Sequence, residues 1–173
     1  MDRSFFQKQL ATYASYHRDP RNQLTHMIGI PAIVFSLLVP LALARLPGGT
    51  SLGVSLGVSW AMLVAALALA GWIALDRTIG LAMLIILVPM LVIAEWIAAR
   101  FSTTTVWIVF GVFFVGGWIF QLVGHVWEGR RPALADNLFQ AFIGPMFIMA
   151  EVLMRFGFKP ELKAIVDGPA PRA

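Results

Sequence analysis

Apolar residues in this chain come in long unbroken runs, not in the short alternations of a soluble domain. Runs from about Met27 to Ala44, Leu52 to Leu75, Ile79 to Ala99 and Val106 to Val123 each approach the roughly 20 residues that a helix needs to cross a bilayer core. Polar punctuation separates them: Arg45 with Pro47-Gly48-Gly49, then Asp76-Arg77, then Arg100 with Ser102 to Thr105. After the fourth run comes the polar stretch GHVWEGRRPALADN. A fifth run, Leu138 to Phe156, carries Gln140, Gly144, Pro145 and Glu151, which are costly against lipid unless protein or a cavity covers them. It is compatible with a full crossing and with a re-entrant or broken helix. Ahead of the first run, Phe5, Phe6, Leu10, Tyr13 and Tyr16 recur at helical spacing among Gln7, Lys8 and Gln9. That spacing predicts an amphipathic helix on the membrane surface, broken by Asp19-Pro20.

These elements add up to an all-α fold, a polytopic membrane bundle of four to five transmembrane helices with an N-terminal amphipathic helix. A single integral membrane domain is expected, with an interfacial segment over 1–26, the bundle over 27–156 and a flexible tail over 157–173. Pro31 falls in the first turns of the first span, and Pro89 predicts a kink in the third. The run SLGVSLGVS sets Gly53 and Gly57 four apart, and likewise Ser51, Ser55 and Ser59, which reads as a helix-packing surface. Trp60, Trp72, Trp96, Trp107, Trp118 and Trp127 mostly flank spans and read as interface anchors, with Glu95 reaching toward the headgroups beside Trp96.

Composition agrees: 59% of the 173 residues are hydrophobic and 13% charged, about half the charged share of a soluble domain. The net charge of +4 lies in the N-terminal segment, short loops and tail. No nucleic-acid partner is expected, because no soluble basic face with interleaved aromatics exists; the loop charges set orientation and meet anionic membrane lipid. The lack of cysteine excludes disulfides, thiolate nucleophiles and cysteine-ligated metals. No apolar core precedes His17, so no cleavable signal peptide is expected. Phosphate-loop, nucleophile-elbow and H-E-x-x-H motifs are absent from the sequence.

Three histidines, His17, His26 and His125, flank the first and fourth runs. An even number of crossings between them puts all three on one face. Arg3, Lys8, Arg18, Arg21, Arg130 and Arg131 share it, so the positive-inside rule makes it cytoplasmic. Three neutral imidazoles suit Fe(II), Zn(II) or a related metal. Glu128, three residues after His125, is a candidate fourth ligand or acceptor for a histidine N–H. Arg130 and Arg131 suit a carboxylate, and Asn22, Gln121, Asp136, Asn137 and Gln140 offer further hydrogen bonds. Each also has a plainer reading: interfacial histidines, a surface Glu–Arg pair, and Asp136-Asn137 as an N-cap for the last helix. Glu151 lies deep in an apolar run and needs a partner or a cavity.

Two blocks, YHRDPRNQLTHMIGIP from Tyr16 to Pro31 and QLVGHVWEGRRPALADNLFQAFIGPMFIMAEV from Gln121 to Val152, together resemble the small membrane 2-hydroxy-fatty-acid dioxygenase family, of the phytosphingosine to odd-chain fatty acid type. The resemblance implies Fe(II) held by His17, His26 and His125, O2 as co-substrate, and a 2-hydroxy fatty acid shortened by one carbon. Such an acid can chelate iron through its hydroxyl and carboxylate. Glu128, Arg130 and Arg131 are then the expected catalytic side chains, with an arginine on the carboxylate. Two other readings stay open: a non-enzymatic lipid-binding or scaffold protein, and a bis-histidine haem electron carrier. The excess of Arg over Lys points to a bacterial inner membrane rather than the endoplasmic reticulum. Oligomeric state has no signal in the sequence.

Overall fold

A computed structural model describes residues 4–48, 50–51, 54–55, 57–135 and 137–168. Helix α1, Phe5–Ser15, opens with a capping box in which Ser4 Oγ accepts from the Gln7 N–H and Gln7 Oε1 accepts from the Ser4 N–H. After a short turn, Asp19 caps α2, Pro20–Leu41, with Pro20 at the helix start, where its missing N–H costs least. The helix therefore begins well before the apolar run. Asn22 and His26 lie inside it, and Pro31 is mid-helical instead of in the first turns.

The second span is shorter than its apolar run. Thr50–Ser51 (β1) and Val54–Ser55 (β2) form a small antiparallel hairpin, and α3 spans only Trp60–Leu75 behind a Ser59 cap. A spacing of four is also a multiple of two, so the Ser51, Ser55, Ser59 series fits a strand as well as a helix. Gly53 and Leu52 lie outside the described residues. Asp76 caps α4, Arg77–Ala82, which continues through a turn at Met83 into α5, Leu84–Arg100. The helical interruption thus falls at Met83, N-terminal to Pro89, which sits within α5. Helix α6 covers Thr103–Glu128 and stops at Gly129, whose φ of 67° is the left-handed conformation that ends helices. A 3-10 turn at Ala133–Ala135, α7 at Phe139–Arg155, a second turn at Pro160–Leu162 and α8 at Lys163–Val166 complete the described chain.

Helix α2 is the centre, running antiparallel along α6 and touching α3, α5 and α7. Its seam with α6 is built on glycine. A Cβ on Gly29 would meet the Gly117 carbonyl at 2.8 Å, and one on Gly124 would meet Thr25 Oγ1 at 2.3 Å and Asn22 Oδ1 at 2.4 Å. Gly80 does the same for the α3–α4 turn, where a Cβ would lie 2.5 Å from the Ile73 backbone.

Among the described residues, Pro20–Leu41, Arg77–Arg100 and Thr103–Glu128 are long and apolar enough to cross a membrane. Phe139–Arg155 with Pro160–Val166 is a fourth such unit, bent by 117°. The fold is thus a membrane-type helical bundle with three to four candidate spans; α3, with 16 residues, is an apolar helix of lesser length. Helices α5 and α6 turn apolar side chains outward, as hydrocarbon requires. Helix α7 differs: Ile143 through Ala150 are all buried in protein.

Four further expectations change. The apolar side of α1, including Phe6, Leu10 and Tyr13, is covered by α7 and α8, not turned to lipid. The tail is packed as far as Gly168: Leu162 and Val166 are buried, Lys159 pairs with Asp76 at 2.8 Å, and Arg18 Nη2 donates to the Gly168 carbonyl. Trp72 is buried, donating Nε1–H to the Phe142 carbonyl at 3.0 Å, and is no interface anchor. Glu95 pairs with Arg45 and accepts from Ser59, fastening the α2–α3 connection to the end of α5 instead of reaching for headgroups.

Candidate active site

The N-terminal end of α2 and the C-terminal end of α6 meet at one end of the bundle, where the turn after α1 packs against them. His17 comes from that turn, His26 from α2 and His125 from α6. All three are buried, with exposures of 2%, 1% and 6%. Their ring centroids are 4.5 to 5.1 Å apart, and one ligand nitrogen from each lies within 4.8 Å of the others.

Hydrogen bonds fix how the rings present themselves. His17 Nδ1–H donates to the Tyr13 carbonyl at 2.7 Å, and His26 Nδ1–H to the Asn22 carbonyl at 2.9 Å, each to the residue four earlier. Each Nε2 is then a lone-pair donor atom, and that of His17 is buried without a partner. His125 Nδ1 is likewise buried and unpartnered. Burial pushes the His17 imidazole down to about 3, against a partial upward pull from the Tyr13 carbonyl, so the ring is neutral at ordinary pH. Tyr13 stacks on His17 at 4.1 Å with an interplanar angle of 6°, and burial raises its phenol well above the usual value.

Three buried imidazoles, two of them with an orphaned nitrogen, converge on one point and fit a first-row transition metal, which the described residues offer no other cluster to hold. They do not fit the haem alternative. Ring centroids of His26 and His125 at 4.9 Å and 83° leave no space for a macrocycle between them.

Beside the cluster lies a cavity of about 180 Å³ with mostly apolar walls. Its walls come from α2, α6 and α7, with Tyr13 of α1, His17 of the following turn, and Pro132 and Ala133 of the loop after α6. Along α2 it extends from His26 to the exposed Leu37, and Trp118 stands on the α6 side. Helices α6 and α7 make little contact with each other.

The sequence-derived polar candidates divide sharply. Gln121 and Gln140 are buried and line the cavity. Asn22 is fully buried and supplies the carbonyl for His26; its Nδ2 donates to Glu128 Oε2 at 2.9 Å. Among the described residues Glu128 makes no hydrogen bond to a histidine nitrogen and no ion pair with the neighbouring arginines. Its carboxylate accepts from the backbone N–H groups of Arg18 and Asp19, at 2.8 to 3.0 Å, because the turn before α2 presents free amides there. Arg130 Nη1 donates to the Ser15 carbonyl at 2.9 Å and its guanidinium covers the Tyr16 ring; neither it nor Arg131 lines the cavity. Asn137 lies one residue ahead of the N-cap position of α7, Leu138, and its Oδ1 accepts from the Phe139 N–H; Asp136 lies outside the described residues.

Two participants escaped the sequence reading. Tyr13 lines the cavity and positions His17, and Gln9 Oε1 accepts from Gln140 Nε2 at 2.7 Å. Gln9 and Tyr13 are four apart on one face of α1, and His17 follows four further on in the turn; that spacing was the available signal.

Comparison with known proteins bears on this arrangement. A family model described as Mpo1-like, "2-hydroxy-palmitic acid dioxygenase Mpo1-like", matches residues 3–156. The 2-hydroxy-palmitic acid dioxygenase MPO1 of Saccharomyces cerevisiae is 37% identical over 162 residues, covering 92% of this chain and 86% of the yeast protein. No solved structure matches. The match takes in all three histidines, both cavity glutamines and the glycine seam that joins α2 to α6, and the chain belongs to the Mpo1-like family.

Proposed function

We propose that this protein is a non-haem iron dioxygenase that removes one carbon from 2-hydroxy fatty acids at a membrane boundary. The observation that carries the reading is the convergence of three buried imidazoles, with unpartnered nitrogens on two of them, beside an apolar cavity. The relatedness to a 2-hydroxy-palmitic acid dioxygenase supplies the substrate class. A scaffold has no need to leave buried polar atoms unsatisfied, since each costs about 1–3 kcal/mol.

His17, His26 and His125 would hold the metal. When bound, Fe(II) would supply a redox-active centre with open positions for O2 and a chelating 2-hydroxy acid, the acid itself being the net reductant. The chain's own residues do the rest. Carbonyls of Tyr13 and Asn22 lock two imidazoles in the tautomer that points Nε2 inward. Glu128 ties the turn bearing His17 to the end of the helix bearing His125. The apolar walls exclude water and receive acyl chain. Overall, the 2-hydroxy acid and O2 give the acid one carbon shorter, CO2 and water.

Clustering of Arg18, Arg21, Arg130 and Arg131 at this end supports a site on the cytoplasmic side, and the Arg-rich composition supports a bacterial inner membrane. The test is direct. Purified protein should contain iron near one atom per chain. Given 2-hydroxypalmitate under nitrogen and then O2, it should release pentadecanoate and CO2 in equal amounts. Iron-loaded protein that leaves 2-hydroxypalmitate intact under O2 would end this reading.

A further inference from the structure

Described side chains leave five buried polar atoms without a partner, and all five sit at the histidine end: His17 Nε2, His125 Nδ1, Asn22 Oδ1, Gln121 Nε2 and Gln140 Oε1. A metal accounts for the histidines. It does not account for the two glutamines, which line the cavity while 7% and 1% exposed. One offers a donor and the other an acceptor. Their positions are imposed: Gln121 Nε2 lies where a Cβ on Gly29 would be 2.9 Å away, and Gln140 gives its own N–H to Gln9, which turns its oxygen away from that bond.

We infer that Gln121 and Gln140 form a head-group subsite that reads a 2-hydroxy carboxylate, the Gln121 amide N–H donating to the carboxylate and the Gln140 carbonyl accepting from the 2-hydroxyl. This rests on the function proposed above and assigns its selectivity to two side chains. The chemistry matches in both directions. A carboxylate only accepts, so it needs the donor; a hydroxyl is the one substrate group able to satisfy the orphaned acceptor. An unhydroxylated fatty acid would leave Gln140 Oε1 buried and unpaired, and sites built to bond a hydroxyl discriminate strongly against analogues lacking it. The arginines, outside the cavity, are not needed for this.

Equilibrium binding of 2-hydroxypalmitate and palmitate to the full-length protein in detergent under nitrogen tests it, with no turnover involved. Wild type should favour the hydroxy acid. Gln140→Leu should reduce that preference at least tenfold while palmitate still binds, and Gln121→Leu should weaken both acids alike and keep the ratio. Gln9→Leu, at a residue outside the cavity lining that bonds Gln140, should lower the ratio in the same direction and serves if Gln140→Leu does not fold. A wild-type ratio retained in Gln140→Leu, or in Gln9→Leu where the former is unfolded, overturns the inference while leaving the proposed function standing. Failure of wild type to bind either acid overturns both.

Discussion

The bundle has a polar cluster at each end, and the two are finished differently. At one end Arg45, Glu95 and Ser59 satisfy one another, with Arg45 Nη1 also donating to the Gly57 carbonyl at 2.9 Å. No buried side-chain atom there lacks a partner among the described residues. At the other end five buried atoms lack one. Both clusters join elements distant in sequence, so polarity alone does not distinguish a fastening from a site. Residual hydrogen-bonding capacity does: a fastening consumes its polar groups, whereas a site holds them for something that arrives.

Breaking the unfinished end should cost function before stability. His26→Ala or His125→Ala should remove bound metal and lower turnover at least ~100-fold, more than loss of the partners that orient metal ligands usually costs. Metal analysis and oxygen consumption on protein that still elutes as one species would check this. Chelation of the wild-type protein should reproduce the loss, and added Fe(II) should reverse it only there. Next in size is Gly124→Ala. Its methyl would enter the space of Asn22 and Thr25, with the His26 ring 3.2 Å away. Metal affinity should fall by ~10–100-fold through displaced ligands, although no ligand is altered. Normal affinity in that variant would show that the α2–α6 seam does not position the site.

How much of this was readable beforehand follows from which signals are local. Apolar runs name their own helices, and parity of crossings brought His17, His26 and His125 to one face without any knowledge of packing. Spacing was less decisive where two periods coincide, which is why the serine series ahead of α3 read as helix. Close approach depends on the facing helix, so sequence alone does not single out Gly29, Gly117, Gly124 and Gly80, which carry it among the described residues; Gly53 of the SLGV repeat lies outside them. Charged residues were the least legible. Glu128 and Arg130 read as partners of one another and Glu95 as reaching for headgroups, yet their actual partners are backbone groups or side chains from remote segments. Long flexible side chains choose partners in space, and sequence order does not reveal that choice.

The finished end should behave in the opposite way. Glu95→Ala takes away the charge partner of half-buried Arg45, leaving it the Gly57 carbonyl, and removes the acceptor of the Ser59 hydroxyl, which keeps only its cap to the Met62 N–H. It should lower stability by ~2–3 kcal/mol, read as a shift of the thermal transition in detergent, with metal content unchanged. Glu128→Gln tests a mixed case, because this carboxylate is a fastening located at the site. It keeps an oxygen for the turn but loses charge-assisted bonds to two amides and to Asn22. About 1–2 kcal/mol of stability should go, since the exposed amide of Arg18 can turn to water. A further several-fold loss of metal affinity through Asn22 and His26 is expected. Stability loss with metal affinity intact would class Glu128 with the far end.

The smallest effect expected is also the sharpest on the arginines. Arg130 is exposed, bonds the Ser15 carbonyl and lies 4.9 Å from the Tyr16 ring centroid. Such a surface contact is worth up to about 1 kcal/mol. Arg130→Met keeps an apolar stem over Tyr16 and should change stability by less than that, leaving KM for 2-hydroxypalmitate within about twofold of wild type. A carboxylate clamp would behave otherwise: its removal leaves the substrate's charge without a guanidinium and raises KM by tenfold or more. Steady-state oxygen consumption against substrate concentration separates the two. A large KM effect would return the arginine to the site and mean that the loop from Gly129 to Pro132 moves inward when substrate binds.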